Sequence, residues 1–320
     1  KGYKNAELYP GKFHGTGPFD PATGCSLKSS SQPTYSEVFG EHLIKMAKKD
    51  SAIVAITAAM TDGTGLSDFA QRFPDRLFDV GIAEEHAVTF AAGLAAGGLK
   101  PFVAIYSTFL QRAFDQIIID VCLQNLPVVF AIDRAGNVGA DGETHHGLFD
   151  ISFLRSMPNL TILAPRDGVE LQEMMEYAIS LNGPCAIRYP RGTSPCLAYP
   201  MEPMDKNAQW IETGNDLTIW AVGNMVQVAL HVRELLNKKG ISSGVVNPRF
   251  IKPMDLETLY RNAMESRLIV TLEDNVLIGG FGEQIASALK ESNLETEVLP
   301  IGWPDRFIER LPLPQVSGNY

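Results

Sequence analysis

The sequence predicts an α/β protein of two parallel-sheet domains, on three observations. The chain has 320 residues, and at roughly 150 residues per domain that is two domains. Its strand segments are continuous apolar runs rather than in/out alternations, which suits parallel sheets covered on both faces. Those runs alternate with helical periods in two series, 34–194 and 215–320, separated by a patternless stretch at 195–214 that reads as a linker.

Residues 1–33 are rich in Gly, Pro, Ser and Thr and read as an extended connector. Thr34-Tyr35-Ser36-Glu37 is a capping box, in which the Thr hydroxyl and the Glu carboxylate satisfy each other's backbone amides. Tyr35, Val38, Phe39, Leu43 and Met46 then keep helical spacing. A strand follows at 52–57, with others expected at 78–80, 102–106, 128–132, 160–164 and 185–189. Helices are expected at 84–96, 108–123 and 168–180. The second series places strands at 217–222, 244–246, 268–272 and 297–300, and helices at 225–238, 255–264 and 282–290.

Composition excludes several classes. With 45% apolar and 20% charged residues the chain is neither disordered, collagenous nor a small disulfide scaffold. Lys plus Arg number 27 against 37 Asp plus Glu, a net −10, which argues against nucleic acid and anionic membrane as partners. Cys25, Cys122, Cys185 and Cys196 have no CxxC spacing, which suits reduced thiols in a cytoplasmic protein. No segment approaches the ~20 apolar residues of a membrane span, and the first residues resemble neither a signal nor a transit peptide.

Polar residues concentrate at the strand ends of the first series, where open parallel sheets bind ligands. Glu84 opens a helix rich in small residues. Spacing alone leaves two roles open: an acid complementing the helix dipole, or a carboxylate tuned in a dry interface. Arg112 is either paired with an acid such as Asp115 or an anion contact near a helix start. The loop 137–146 carries glycines, Asp141, His145 and His146. An adjacent His pair without a third ligand is no metal signature, so a Gly-rich active-site loop over a strand end fits better and no metal site is assigned. Arg188 and Arg191 bracket a Tyr-Pro turn and suit a phosphate or carboxylate. No phosphate loop occurs, and neither Asp62-Gly63 nor Asp141-Gly142 is followed by the Asn of a thiamine-type diphosphate–metal site.

Taken together, these segments resemble the 1-deoxy-D-xylulose-5-phosphate synthase family of the transketolase superfamily. Asp79-Val80-Gly81-Ile82-Ala83-Glu84-Glu85-His86-Ala87-Val88-Thr89 is similar to the superfamily's pyrimidine-domain motif. Tyr106 to Gln116, Asp133-Arg134-Ala135-Gly136, Asp141-Gly142-Glu143-Thr144-His145 and Arg188-Tyr189-Pro190-Arg191-Gly192 resemble this family in particular. Phe13-His14-Gly15 with Pro18-Phe19-Asp20 resembles its connector, and Val246 to Pro253 its C-terminal domain. The departure is the tail, where Arg310-Leu311-Pro312 replaces the His-Gly that usually follows.

The resemblance implies a pyrimidine-binding domain at 34–194 and a transketolase C-terminal-like domain at 215–320. It implies thiamine diphosphate as cofactor, with Mg2+ and the diphosphate held by an N-terminal half that these residues do not match. Glu84 would bond the aminopyrimidine ring nitrogen, and Phe109 would pack on that ring. Pyruvate would lose carbon dioxide, and its two remaining carbons would join glyceraldehyde 3-phosphate. Tyr106, Arg112 and Arg191 match the phosphate contacts, Arg134 another substrate-side position, and Asp141 and His145 residues that hold the reacting molecules. The chain alone would be inactive. The small-residue helix after Glu84 suggests a homodimer. Two alternatives compete: a β-type subunit of a split transketolase or 2-oxo acid dehydrogenase, and a non-catalytic module that kept the fold.

Overall fold

The computed structural model describes residues 2–11, 13–14, 16–27 and 32–309. Gly15 of the connector motif and the divergent tail from Arg310 lie outside the described residues.

The first sheet contains β1 (Ile53–Thr57), β2 (Leu77–Asp79), β3 (Lys100–Tyr106), β4 (Val129–Asp133), β5 (Thr161–Leu163) and β6 (Cys185–Arg188). All of its pairings among these six are parallel. Both faces are dry, as continuous apolar runs require. Ile56, Val103, Ile105 and Phe130 face one way, onto Ala87, Val88 and Ala91 of the helix Glu84–Ala96. Ala55, Phe102 and Ala104 face the other way, onto Phe39 and Leu43 of the helix Tyr35–Lys49 and onto Met174. That helix carries the expected capping box: the Glu37 amide donates to the Thr34 hydroxyl, and the Thr34 amide donates to the Glu37 carboxylate.

The second sheet contains β7 (Gln209–Glu212), β8 (Leu217–Ala221), β9 (Ser243–Asn247), β11 (Leu268–Val276) and β12 (Glu297–Trp303), in the order β12-β11-β8-β9-β7. The intervening strand β10 (Phe250–Lys252) is not part of it. It pairs antiparallel with β5 at the edge of the first sheet, giving that sheet the order β10-β5-β6-β4-β3-β1-β2.

Three expectations are corrected. The stretch 195–214, read as a linker, contains β7, which runs antiparallel along β9; a four-residue edge strand leaves no periodic signal. The connector is not simply extended: Lys4–Leu8 is helical, and Tyr3, Phe13 and Phe19 form an aromatic cluster with centroids 5.1–5.7 Å apart. The helix expected at 108–123 is a succession of α, 3-10 and π turns, ending in the π segment Ile117–Cys122. Three consecutive β-branched isoleucines crowd a regular helix there. The expected fold class holds: both sheets are parallel-dominant, with β7 and β10 as antiparallel edges.

A buried polar network holds the two sheets together, and no motif announced it. Glu170 accepts from the Arg166 amide (2.7 Å) and from Asn247 Nδ2 (2.9 and 3.0 Å), and lies 3.6 Å from Arg249 Nε. Arg166 donates across to Gln209 Oε1 of β7 at 2.6 Å. Buried charge persists only where it is paired and hydrogen-bonded, as here.

Candidate active site

The C-terminal ends of β1, β3, β4 and β6 converge on one surface, and the polar segments sit on them. Asp79 closes β2 and organises the turn that follows. Its carboxylate accepts from the amides of Ala59 (2.8 Å) and Gly81 (3.0 Å) and from the Thr61 hydroxyl (3.0 Å). That turn delivers Glu84 to the first position of its helix with only 2% of its surface exposed.

Glu84 is paired. Arg112 Nη1 donates to its Oε1 at 2.6 Å, while Oε2 is buried without a hydrogen-bond partner. Arg112 does not turn to Asp115. Its guanidinium also lies 5.1 Å from the centroid of the Phe109 ring, within cation–π reach. Phe109 stacks on Tyr106 (5.8 Å, 22°) and meets His145 edge-on (5.6 Å, 74°).

Tyr106 is buried at the end of β3, and Arg134 lies over its ring at 3.9 Å. Burial pushes the Tyr106 phenol up, against the opposing pull of Arg134. Gly63 is pressed against the Tyr106 hydroxyl so closely that no side chain fits there. Arg134 has φ +58, a conformation a non-glycine residue adopts at a cost of about 1–3 kcal/mol. The Ala135 amide, bonded to the Tyr189 carbonyl at 3.0 Å, fixes the backbone beyond it.

Arg134 Nη1 then donates to Asp141 Oδ2 at 3.1 Å, and Arg191 Nη1 meets the same oxygen at 2.6 Å. Two guanidiniums thus share one carboxylate, so the trio keeps a net positive charge. The loop that carries Asp141 is held from the second sheet. Asp274 at the end of β11 accepts from the Asn137 amide (3.0 Å) and from Trp303 Nε1 (2.7 Å). Within the loop, the Val138 amide donates to Nδ1 of buried His146 at 3.2 Å. His145 Nδ1 is 2.8 Å from the Thr144 hydroxyl.

Eight of the residues singled out in the sequence therefore stand in one unbroken run of contacts. It passes from Glu84 through Arg112, Phe109, Tyr106, Arg134 and Asp141 to Arg191, with His145 branching from Phe109. Arg188 is not among them. It is 3% exposed, donates from Nε to Asp150 Oδ2 at 2.9 Å and from Nη2 to the Asp274 carbonyl at 3.0 Å. A β6 residue one position short of the turn points into the sheet layer, so Arg188 braces the two sheets rather than facing a ligand. Among the described residues no group of three His, Cys, Asp or Glu side chains is placed to hold a metal ion, and no helix is long and apolar enough to cross a membrane.

Asp133 received no role from the sequence. It is fully buried behind Arg134, accepts from the Ser36 hydroxyl at 2.6 Å, and leaves Oδ1 without a partner. Burial pushes its carboxyl up to about 7, with the Ser36 hydrogen bond and then Arg134 opposing. A carboxyl raised on folding binds its proton more tightly in the native state, so stability falls as pH rises from about 4 to 7. Asp133→Asn is expected to flatten that slope and to raise stability at pH 8 by about 1–3 kcal/mol. Urea denaturation at pH 5 and pH 8 checks this; an unchanged slope contradicts it.

Known proteins give this surface a class. Residues 31–195 match the transketolase pyrimidine-binding domain model, and residues 206–320 the transketolase C-terminal domain model. The chain belongs to the transketolase family. Its sequence relatives include 1-deoxy-D-xylulose-5-phosphate synthases at about 50% identity. That of Pelotomaculum thermopropionicum is 53% identical over 314 residues, 97% of this chain and 49% of that protein. The Acidobacterium capsulatum enzyme is 52% identical over 323 residues, 100% of this chain and 51% of that protein. This chain spans about half the length of the curated relatives it matches and corresponds to their C-terminal half. Among solved structures, a split-gene transketolase described as an inactive β4 tetramer is 31% identical with a TM-score of 0.78, covering 87% of this chain and 92% of that one. Transketolase from Campylobacter jejuni, at 20% identity and TM-score 0.73, shares the fold over 88% of this chain and 43% of its own.

Proposed function

We propose that this chain supplies the pyrimidine-side and acceptor-side wall of a 1-deoxy-D-xylulose-5-phosphate synthase. The observation that carries the reading is the unbroken run from buried Glu84 to Arg191. One end offers a dry carboxylate beside an aromatic ring; the other offers paired guanidiniums.

The residues fit the cofactor that the family uses. Glu84 Oε2 is a buried acceptor without a partner, suited to a protonated aminopyrimidine ring nitrogen, and the Phe109 ring packs against the same Arg112 that pairs with Glu84. Thiamine diphosphate, when bound, supplies the electron sink for loss of carbon dioxide from pyruvate and carries the two-carbon unit to the acceptor. Glu84 holds the pyrimidine end, and the other half of the enzyme holds the diphosphate and its Mg2+. Arg134 and Arg191, which share one oxygen of Asp141, take the dianionic phosphate of glyceraldehyde 3-phosphate, with the Tyr106 ring against Arg134. His145 stands over Phe109, placed to hold or move a proton at the acceptor carbonyl. The same reading puts the protein in the cytoplasm and pairs two copies through the helix Glu84–Ala96.

The test compares acceptors. In an enzyme assembled from this chain and the diphosphate-binding half of a relative, Arg134→Ala is expected to raise KM for glyceraldehyde 3-phosphate by tenfold or more, about the worth of one charge-assisted contact. Unphosphorylated glyceraldehyde should be turned over as before. Equal losses for both acceptors would remove Arg134 from phosphate binding.

A second reading is a β-type subunit of a split transketolase. It is favoured by the length match to the split-gene structure, 92% of whose chain is covered. Transfer of a two-carbon unit from a ketose phosphate, with no reaction of pyruvate, would establish it.

A further inference from the structure

We infer that Arg112 is a positioning residue for Glu84 and not a ligand of the acceptor phosphate; this rests on the function proposed above. Three observations separate Arg112 from the other two site arginines. Its guanidinium is committed to Glu84 Oε1 at 2.6 Å, whereas Arg134 and Arg191 compete for a single oxygen of Asp141. The ion pair is asymmetric: the Arg112 side chain is 49% exposed and that of Glu84 2%. And Arg112 lies over the Phe109 ring, 5.1 Å from its centroid, with Phe109, Tyr106 and Arg134 between it and Asp141 in the run of contacts.

A carboxylate inside a protein needs a counter-charge and fixed hydrogen bonds. Glu84 obtains both from one donor. With Oε1 tied to Arg112, one orientation of the carboxyl group is favoured, and Oε2 is left as the free acceptor. Arg112 thus selects which oxygen meets the aminopyrimidine. One Nη1 contact holds the acid, and the Arg112 guanidinium is assigned to that contact. The acceptor phosphate falls to Arg134 and Arg191, two guanidiniums that converge on one oxygen of Asp141.

The assembled enzyme provides the test, with Arg112→Ala, Arg112→Lys and Arg134→Ala side by side. Thiamine diphosphate binding is measured directly by calorimetry, and turnover with phosphorylated and unphosphorylated glyceraldehyde. Arg112→Ala is expected to weaken cofactor binding about tenfold, the cost of one charge-assisted contact. It should lower turnover by the same factor with both acceptors, leaving KM for glyceraldehyde 3-phosphate within about twofold. Arg112→Lys should recover part of the cofactor affinity, because it keeps the charge without the fork. An unchanged cofactor dissociation constant with KM raised only for the phosphorylated acceptor would overturn the inference and return Arg112 to the phosphate. Failure of the unaltered assembly to bind thiamine diphosphate would instead overturn the reading beneath it, and the inference with it.

Discussion

Glu84→Gln is expected to reduce turnover of the assembled enzyme by about 10²–10⁴-fold, the range typical of removing a positioned acid–base group. The glutamine keeps the size of the side chain and one carbonyl oxygen. It loses the negative charge that a protonated ring nitrogen would face, and it loses the ion pair that fixes its rotation. The fold should survive, because Arg112 is half exposed and returns to water once released. Denaturation midpoints close to those of the unaltered chain, alongside the collapse in turnover, are the expected pair of results. Turnover within about threefold of the unaltered enzyme would take Glu84 out of the mechanism.

Arg188→Met is expected to act on stability instead, with a loss of about 3–5 kcal/mol, the usual cost of leaving one member of a buried ion pair alone. Asp150 has no exposed surface and, among the described residues, takes its only guanidinium from Arg188 Nε at 2.9 Å. The same arginine also satisfies the Asp274 carbonyl, so the substitution strips a partner from the second sheet as well. Small domains are stable by only about 5–15 kcal/mol, so such a loss is a large share of the whole. The double variant Arg188→Met with Asp150→Asn should recover part of it, since no lone charge then remains. Urea denaturation of the three variants measures this; a loss below about 1 kcal/mol for Arg188→Met would mean the pair is not a brace.

The contrast between Arg188 and Arg191 shows where sequence reasoning reaches its limit. Both sit in one short motif, and nothing in composition separates them. Side chains alternate along a strand, and the turn after β6 begins just beyond Arg188. That places one arginine in the layer between the sheets and the other at the mouth of the site. The strands β1, β3 and β4 were legible because each is an uninterrupted apolar run, and all of their residues but Lys100 are buried. The helix Glu84–Ala96 was legible from its stripe of small residues. Two strands were not: β7 has four residues and β10 three, and each gains its place only from a partner distant in sequence. The Arg166–Glu170–Arg249 network escaped for the same reason, because a charged residue reads as surface until the fold supplies its counter-charge. Asp133 was quoted within a motif yet went unassigned, as burial alone distinguishes it from Asp141.

The central claim is that this chain forms the pyrimidine and acceptor side of a site completed by a diphosphate-binding half. The direct measurement is product formation from 13C-labelled pyruvate and glyceraldehyde 3-phosphate, followed by NMR with thiamine diphosphate and Mg2+ present. The chain is assayed alone, and together with the diphosphate-binding half of a full-length relative. Labelled 1-deoxy-D-xylulose 5-phosphate and carbon dioxide should form in the combination only. Product from the chain alone, or none from a combination whose diphosphate-binding half is active with its own C-terminal partner, would contradict the account.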